Sequence, residues 1–226
     1  MCGRYTINVT YEDMKTYLHD NYHIDDFDAE FKLPRYNVAP GQNILSVIND
    51  GTKNRAGLLK WGFVPFFAKD ENMGSNLINA KAETLLQKPS FKDSFKNKRC
   101  IILADSFYEW AKTGFEKIPM RVMLNDQSLF AMAGLWSSYT RPDRTKLYTC
   151  TIITTEANDL VAKVHDRMPV ILTNETARLW LDPKNSDLQS LAALLVPFDP
   201  AKMTAFRVSS AVSNAKNDDP SLIKAI

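Results

Sequence analysis

The chain has 226 residues, of which 45% are hydrophobic and 24% charged, a composition typical of a soluble globular protein. It contains no apolar run of about 18 residues and no basic–hydrophobic leader, so we expect neither a membrane span nor secretion. The 28 basic and 26 acidic residues give a net charge of +2, too even to indicate nucleic-acid binding from bulk charge. We interpret the basic run at residues 88–99 as a solvated face.

Hydrophobic periodicity and turn signals predict alternating helices and strands. Thr10 and Asp13 have the spacing of a capping box, and the apolar positions that follow predict a helix over residues 11–22. Strands are predicted over residues 44–48, 57–62, 100–103, 120–124, 129–135, 148–154 and 169–172, with residues 120–135 forming a hairpin about Asn125-Asp126. Further helices are predicted between Asn79 and Pro89, over residues 155–164, from Thr173 to before Pro183, and over residues 186–195. Hairpins with interspersed helices favour an α+β fold in one domain, residues 1–226, over a doubly wound parallel sheet.

The cysteines and histidines do not form a metal-binding pattern. Cys2, Cys100 and Cys150 contain no C-x-x-C pair, and we expect free thiols. His19 and His23 have i,i+4 spacing but no third ligand, so we expect no metal site and no cofactor. Cys100 and Cys150 lie in predicted apolar strands and are interpreted as inert core thiols.

Cys2 is distinctive because removal of Met1 would leave it with both a free α-amine and a thiol. These groups titrate at about 8 and about 8.5 when unperturbed. The amine of a 1,2-aminothiol condenses with an aldehyde to an imine, and the thiol then closes a five-membered thiazolidine ring. Alternatively, the thiol attacks an amide, as in N-terminal-nucleophile hydrolases. Taken alone, Cys2 is better explained as an incidental residue at a frayed terminus.

Seven short blocks follow one another along the chain. They are Cys2-Gly3-Arg4-Tyr5, Arg35-Tyr36-Asn37-Val38-Ala39-Pro40-Gly41, Trp61-Gly62-Phe63-Val64-Pro65, Asn79-Ala80-Lys81-Ala82-Glu83-Thr84, Ala104-Asp105-Ser106-Phe107-Tyr108-Glu109-Trp110, His165-Asp166-Arg167-Met168-Pro169, and Val208-Ser209 with Asn214. This ordered set resembles the SOS response-associated peptidase (SRAP) family and covers nearly the whole chain. The fold that we expect is a mixed, mostly antiparallel, strongly twisted and barrel-like sheet with peripheral helices.

The resemblance implies a protein that recognises abasic sites in single-stranded DNA and links covalently to the ring-opened sugar through Cys2. It also implies peptidase-like self-processing that uncovers Cys2, and a lyase-type capacity through the imine. By the same resemblance, Glu109 moves protons at the amine, His165 acts as acid or base on the sugar hydroxyl, and Asn79 hydrogen-bonds the opened sugar. We expect a monomer in the cytoplasm, associated with the nucleoid in a bacterium.

Predicted DNA contacts divide into two kinds. Arg4, Lys81 and Arg167 are candidates for phosphate contacts, and Phe67, Pro40 and Trp110 for stacking or wedging against bases. The family usually has arginine at position 81 and a tryptophan-rich stretch where Phe66 and Phe67 stand. Lysine still neutralises a phosphate but lacks the bidentate fork of arginine.

Other interpretations remain open at this point. Cys2 with His165 as base would make a cysteine-dependent N-terminal-nucleophile peptidase or amidase. A non-catalytic single-strand-binding module, with Cys2 incidental, is a third possibility. Each residue also has a structural explanation: Asn79 as a helix cap, Glu109 in a salt bridge at a strand end, and His165 as a cation at a helix C-terminus.

Overall fold

The computed structural model describes residues 2–27, 31–114 and 116–226. The strands are β1 (Tyr5–Ile7), β2 (Arg35–Val38), β3 (Asn43–Asn49), β4 (Asn54–Trp61), β5 (Asn79–Lys81), β6 (Arg99–Ala104), β7 (Ser106–Thr113), β8 (Glu116–Leu124), β9 (Phe130–Thr140), β10 (Lys146–Glu156), β11 (Arg167–Pro169), β12 (Ile171–Leu172) and β13 (Met203–Arg207). The α-helices are α1 (Tyr11–Tyr22), α2 (Pro89–Asn97), α3 (Asn174–Leu181) and α4 (Leu188–Ala193). None of the helices in these ranges is both long and apolar enough to span a membrane.

Five strands close into a barrel. β3 pairs with β4 and β6, β6 with β9, β9 with β10, and β10 with β4, which returns to the start. Only the β10–β4 pair in this ring is parallel. All six residues of β6 are buried, as expected for a strand covered on both faces. The prediction of an α+β fold with a mostly antiparallel, barrel-like sheet is therefore confirmed.

A second sheet has the order β13-β8-β7-β1-β2 and carries the start of the chain. β1 lies between β2 and β7 and is antiparallel to both. A buried ion pair joins Asp105 to Arg121 at 2.7 Å, and the Thr6 hydroxyl donates to Asp105 at 2.7 Å. Because Thr6 belongs to β1 and Arg121 to β8, this network fixes the first strand against the centre of the sheet.

Helices α2 and α3 pack against barrel strands β6 and β9, and one arginine ties both helices to the barrel. Arg99, only 6% exposed, donates hydrogen bonds to five backbone carbonyl oxygens at the C-terminal ends of α2 and α3. A guanidinium there satisfies carbonyls that the helices leave unpaired and interacts favourably with the negative ends of their dipoles. Trp180 on α3 adds a hydrogen bond from its indole nitrogen to the Cys100 carbonyl at 2.9 Å.

Three predicted elements are wrong. The segment between Asn79 and Pro89 is β5 and a 3-10 turn, and the helix begins at Pro89 because the fixed φ of proline suits the first helical turn. Residues 155–164 are not a helix, since β10 continues to Glu156 and only Val161–Lys163 form a 3-10 turn. Residues 120–124 and 129–135 form strands but no hairpin, because β8 pairs with β7 and β13 while β9 belongs to the barrel.

The loop after β4 is fixed at its base by two glycines in close contact. Gly62 has a φ of 142°, and a Cβ added to Gly74 would lie 2.5 Å from the Gly62 carbonyl oxygen. The Phe63 amide donates to the Leu77 carbonyl at 3.2 Å, which joins the two ends of the loop. Trp61 and Phe63 are fully buried, as predicted for core residues.

Candidate active site

The four residues that the resemblance implicates in catalysis come together beside β1. The Asn79 amide nitrogen donates to the Cys2 carbonyl oxygen at 2.9 Å. Glu109 lies close enough to Cys2 for its charge to raise the pKa of the thiol. Glu109 and His165 both line an open cleft of about 390 Å³. Cys2, Asn79, Glu109 and His165 belong to four distant parts of the chain, and the fold brings them together around the middle of β7.

The Cys2 side chain is enclosed. Its exposed fraction is 0%, and its sulfur lies 3.9 Å from the Arg4 carbonyl oxygen. Burial raises the pKa of the Cys2 thiol well above its ordinary value, and the nearby Glu109 charge raises it further. The sulfur at neutral pH is therefore a neutral thiol rather than a thiolate.

Glu109 lies in the middle of β7, opposite Met120 of β8, and is only 2% exposed. Burial raises the pKa of this carboxyl group from 4.5 to about 7. A buried carboxyl group normally shows this effect, because the charged form loses its hydration. With a pKa near the pH of the cell, Glu109 can both accept and return a proton, as a general acid–base residue must.

His165 follows the 3-10 turn Val161–Lys163 and precedes β11. The Arg167 backbone N–H donates to His165 Nδ1 at 3.0 Å, and an Asp166 carboxylate oxygen lies 2.8 Å from the same nitrogen. A backbone N–H can only donate, so Nδ1 accepts this bond when the ring is neutral, whereas the Asp166 carboxylate accepts from the same nitrogen only when Nδ1 is protonated. Burial lowers the pKa of His165, which favours this neutral form. The Asp166 side chain is 86% exposed, so solvent screens its charge, and it does little to raise the pKa of His165.

Asn79 is held by β5, which pairs in parallel with β10 so that Asn79 lies opposite Ile152. Its side-chain oxygen Oδ1 is buried and accepts no hydrogen bond from any residue within the described ranges. The interpretation of Asn79 as a helix cap is wrong, because a short turn with Lys81 at its cap position follows β5. The side chain instead presents an unused acceptor beside Cys2.

Two of the three predicted phosphate-binding residues already have partners. The Arg4 guanidinium donates to Asn37 Oδ1 at 2.9 Å and to the carbonyl oxygens of Val212 at 2.6 Å and Ser213 at 3.1 Å. These bonds tie β1 to the C-terminal segment.

Arg167 forms a bidentate ion pair with Glu83, at 2.8 and 2.9 Å, and is 8% exposed. Lys81, by contrast, is exposed, and no ion pair to it occurs within the described ranges. The structure thus leaves Lys81 as the most accessible cation of the predicted set.

The predicted stacking residues differ in exposure. Phe67 is 50% exposed and Phe66 58%, and their rings meet edge to face with centroids 5.3 Å apart. Pro40 is half-buried, at the end of β2. Trp110 is half-buried beside Glu109 and donates from its indole nitrogen to the Ser213 hydroxyl at 3.2 Å. Trp110 thus lines the cleft, while Phe66 and Phe67 form an aromatic projection of their own.

Several cleft residues were not among those predicted from the sequence. Lys112, Lys117 and Ser213 line the cleft together with Glu109, Trp110 and His165. A hairpin pattern in residues 106–124 could have revealed the two lysines, since they lie directly opposite each other on β7 and β8. No local signal marks Ser213. No three His, Cys, Asp or Glu side chains within residues 2–27, 31–114 and 116–226 are grouped so that they could hold a metal ion.

Comparisons with known proteins agree with one another. A family model described as SOS response associated peptidase (SRAP) matches residues 1–215. The chain is 51% identical over 227 residues to the abasic site processing protein YoqW of Bacillus subtilis. It is 31% identical over 229 residues to the abasic site processing protein YedK of Escherichia coli. Each of these comparisons covers the full length of both proteins. It is also 30% identical to the abasic site processing protein HMCES of Xenopus tropicalis, over 89% of this chain and 69% of that protein.

Solved structures show the same fold. The crystal structure of a protein from Bacteroides thetaiotaomicron superimposes with a TM-score of 0.85 at 25% identity, covering all of both chains. A protein from Bordetella bronchiseptica gives a TM-score of 0.76 over 92% of this chain and all of that chain. The chain belongs to the SOS response associated peptidase (SRAP) family, whose relatives named above are abasic site processing proteins.

Proposed function

We propose that this protein captures abasic sites in single-stranded DNA as a covalent adduct of Cys2, formed after removal of Met1. The observation that carries the proposal is the enclosure of Cys2 between the Glu109 carboxyl group and the Asn79 amide. An abasic deoxyribose opens to an aldehyde, the partner with which an aminothiol forms a stable ring. The adduct would shield the lesion. We further propose that the protein acts as a monomer, in the cytoplasm.

The chemistry requires two bond-forming steps. Glu109, as carboxylate, first removes a proton from the Cys2 ammonium group, and the free amine adds to the sugar aldehyde. Glu109 or His165 then returns a proton to the leaving oxygen, so that water departs and an imine remains. In the second step, the thiol adds across the C=N bond: sulfur bonds to carbon, and the thiol proton passes to nitrogen. The same imine acidifies the carbon next to it: loss of a proton there, with formation of a C=C bond and departure of the phosphate from the following carbon, is the lyase-type reaction.

Asn79 and His165 have separate roles in this proposal. The unused Asn79 acceptor lies beside the nucleophile, where it can receive a hydrogen bond from a hydroxyl of the opened sugar. His165 lines the cleft beside Glu109, and we assign it the exchange of a proton with the sugar oxygen.

A cysteine peptidase or amidase is the second candidate. Its nucleophile would be a thiolate, which low-pKa cysteines provide. The raised pKa of the buried Cys2 thiol works against that mechanism, whereas an amine-first reaction needs the sulfur only after the imine has formed. The electrostatics therefore favour aldehyde capture over amide cleavage.

The test uses Cys2→Ser with Cys100→Ala as a matched control. With an abasic-site oligonucleotide, the parent protein and Cys2→Ser are expected to differ in whether a covalent adduct survives denaturation. The parent protein and Cys100→Ala should give a denaturation-resistant adduct whose intact mass equals DNA plus protein lacking Met1, minus one water. Cys2→Ser keeps the amine but lacks the sulfur, so its adduct should appear only after borohydride reduction of the imine. An undiminished adduct in Cys2→Ser without reductant, or Met1 retained in the adduct, would contradict the proposal.

A further inference from the structure

The hairpin of β7 and β8 places two lysines directly opposite each other at the edge of the cleft. In the antiparallel register, Lys112 pairs with Lys117, and both side chains are exposed. Like charges at directly opposed positions destabilise a β-sheet. No carboxylate forms an ion pair with either lysine within the described part of the chain. Among the described residues, the two positive charges at this site therefore have no ion-pair partner.

Both lysines line the cleft that contains Glu109, Trp110 and His165. The positive charge of Lys112 is close enough to contribute to the lowered pKa of His165, although burial is the larger cause. The arginines nearby are already neutralised or engaged, as the Arg167–Glu83 ion pair and the Arg4 hydrogen bonds show. Lys112 and Lys117 are thus cations available to an anion that enters the cleft.

We propose that Lys112 and Lys117 together bind one backbone phosphate of the DNA strand that flanks the captured sugar. This inference rests on the proposed function. Side chains at directly opposed positions have Cβ atoms about 5 Å apart, so both flexible ammonium groups can reach the same phosphate. A phosphate between them replaces a repulsion by two attractions. The pair therefore positions the strand on the side of the cleft where Glu109 and His165 act.

The first test is the salt dependence of binding to an undamaged single strand, which requires no covalent chemistry. The variant K112Q/K117Q removes both charges, and K92Q/K96Q removes two exposed charges on α2 as a matched control. The slope of log affinity against log salt concentration is negative, and losing one phosphate contact should make it shallower by about 0.7. K92Q/K96Q should keep the parent slope. Equal slopes in K112Q/K117Q and the parent protein, or an equal reduction in both double variants, would overturn the proposal.

The second test separates phosphate binding from chemistry. With an abasic oligonucleotide below saturation, K112Q/K117Q should form the adduct several-fold more slowly than the parent protein. With free 2-deoxyribose, which has no phosphate, the slowing should be much smaller, because only the effect of Lys112 on the pKa of His165 remains. A parent protein that captures neither substrate refutes the proposed function, whereas an equal slowing of K112Q/K117Q on both substrates refutes the phosphate role.

Replacing single phosphates by uncharged methylphosphonates identifies the position of the contact. One substitution near the abasic site should slow the parent protein as much as K112Q/K117Q does, and should add nothing in that variant. An oligonucleotide series in which every substitution slows K112Q/K117Q further would show that the lysines bind no single phosphate. That outcome would also overturn the proposal.

Discussion

Replacing Glu109 by glutamine should stabilise the folded protein at alkaline pH. Burial raises the pKa of Glu109 from 4.5 to about 7, so the folded state binds more protons than the unfolded state between these values. Stability therefore falls as the pH rises through that window. A difference of about 2.5 pKa units corresponds to about 3 kcal/mol at pH 8, and to about 1 kcal/mol at pH 5, where the unfolded carboxyl group is only partly ionised.

The assay is thermal unfolding of the parent protein and Glu109→Gln at both pH values. The cost of burying the amide itself does not depend on pH, so it cancels when the two shifts in Tm are compared. The remaining difference of about 2 kcal/mol predicts that the gain in Tm is about 4–8 °C larger at pH 8 than at pH 5. An equal change in Tm at the two pH values, or a larger gain at pH 5, would refute the reasoning.

Glu83→Gln provides a control of opposite sign. Hydrogen bonding to Arg167 lowers the pKa of Glu83, so this carboxylate stabilises the fold above the unfolded pKa and the contribution disappears as the pH falls through the lowered value. Its replacement should reduce Tm at both pH 5 and pH 8. A gain in Tm at pH 8 from both variants would indicate a general effect of removing negative charge rather than the burial of Glu109.

Two further predictions concern stability. Arg121→Met should reduce the free energy of unfolding by about 3–5 kcal/mol in urea titrations at pH 7, because it leaves Asp105 buried without its ion partner; a loss below about 1 kcal/mol would contradict this. Gly134→Ala should cost about 1–3 kcal/mol, since the added Cβ would overlap Ile102 and lie 2.8 Å from the Thr151 carbonyl oxygen. Gly57→Ala, with nothing within 4 Å of the added Cβ, is its control, and equal losses from the two alanine variants would argue against overlap as the cause.

Local signals in the sequence predicted local structure well. The Thr10–Asp13 capping box forms as expected, and α1 begins and ends where the pattern places it. Thr173 likewise caps α3. The prediction at Pro89 failed because a proline can either end a helix or occupy its first turn. The tertiary surroundings of the residue decide between the two.

The pairing of strands that are distant in sequence could not be predicted from local sequence patterns. The segment about Asn125-Asp126 has the polarity of a hairpin turn, yet the strands on either side belong to different sheets. Which strands pair depends on the closure of the barrel, and no short stretch of sequence encodes it.

The candidate site depended on the same long-range information. Cys2 attracts attention from its chemistry alone, but Asn79, Glu109 and His165 each had an adequate structural explanation in the sequence. Only the family resemblance grouped them, and the fold then brought them together through β1, β5 and β7. The bonds that occupy Arg4 and Arg167 come from residues far along the chain, so neighbouring sequence carries no sign of them.

The contact between Gly62 and Gly74 has a consequence for our prediction that Phe67 stacks against a base of single-stranded DNA. The loop that carries the two rings is anchored at its base by the Gly62–Gly74 contact and by the hydrogen bond from Phe63 to Leu77. Folding therefore removes backbone freedom at the base of this loop, and that part of the entropy cost is not incurred again on association. Replacing Gly62 or Gly74 by alanine should therefore weaken the affinity for single-stranded DNA, although neither glycine is a predicted DNA contact.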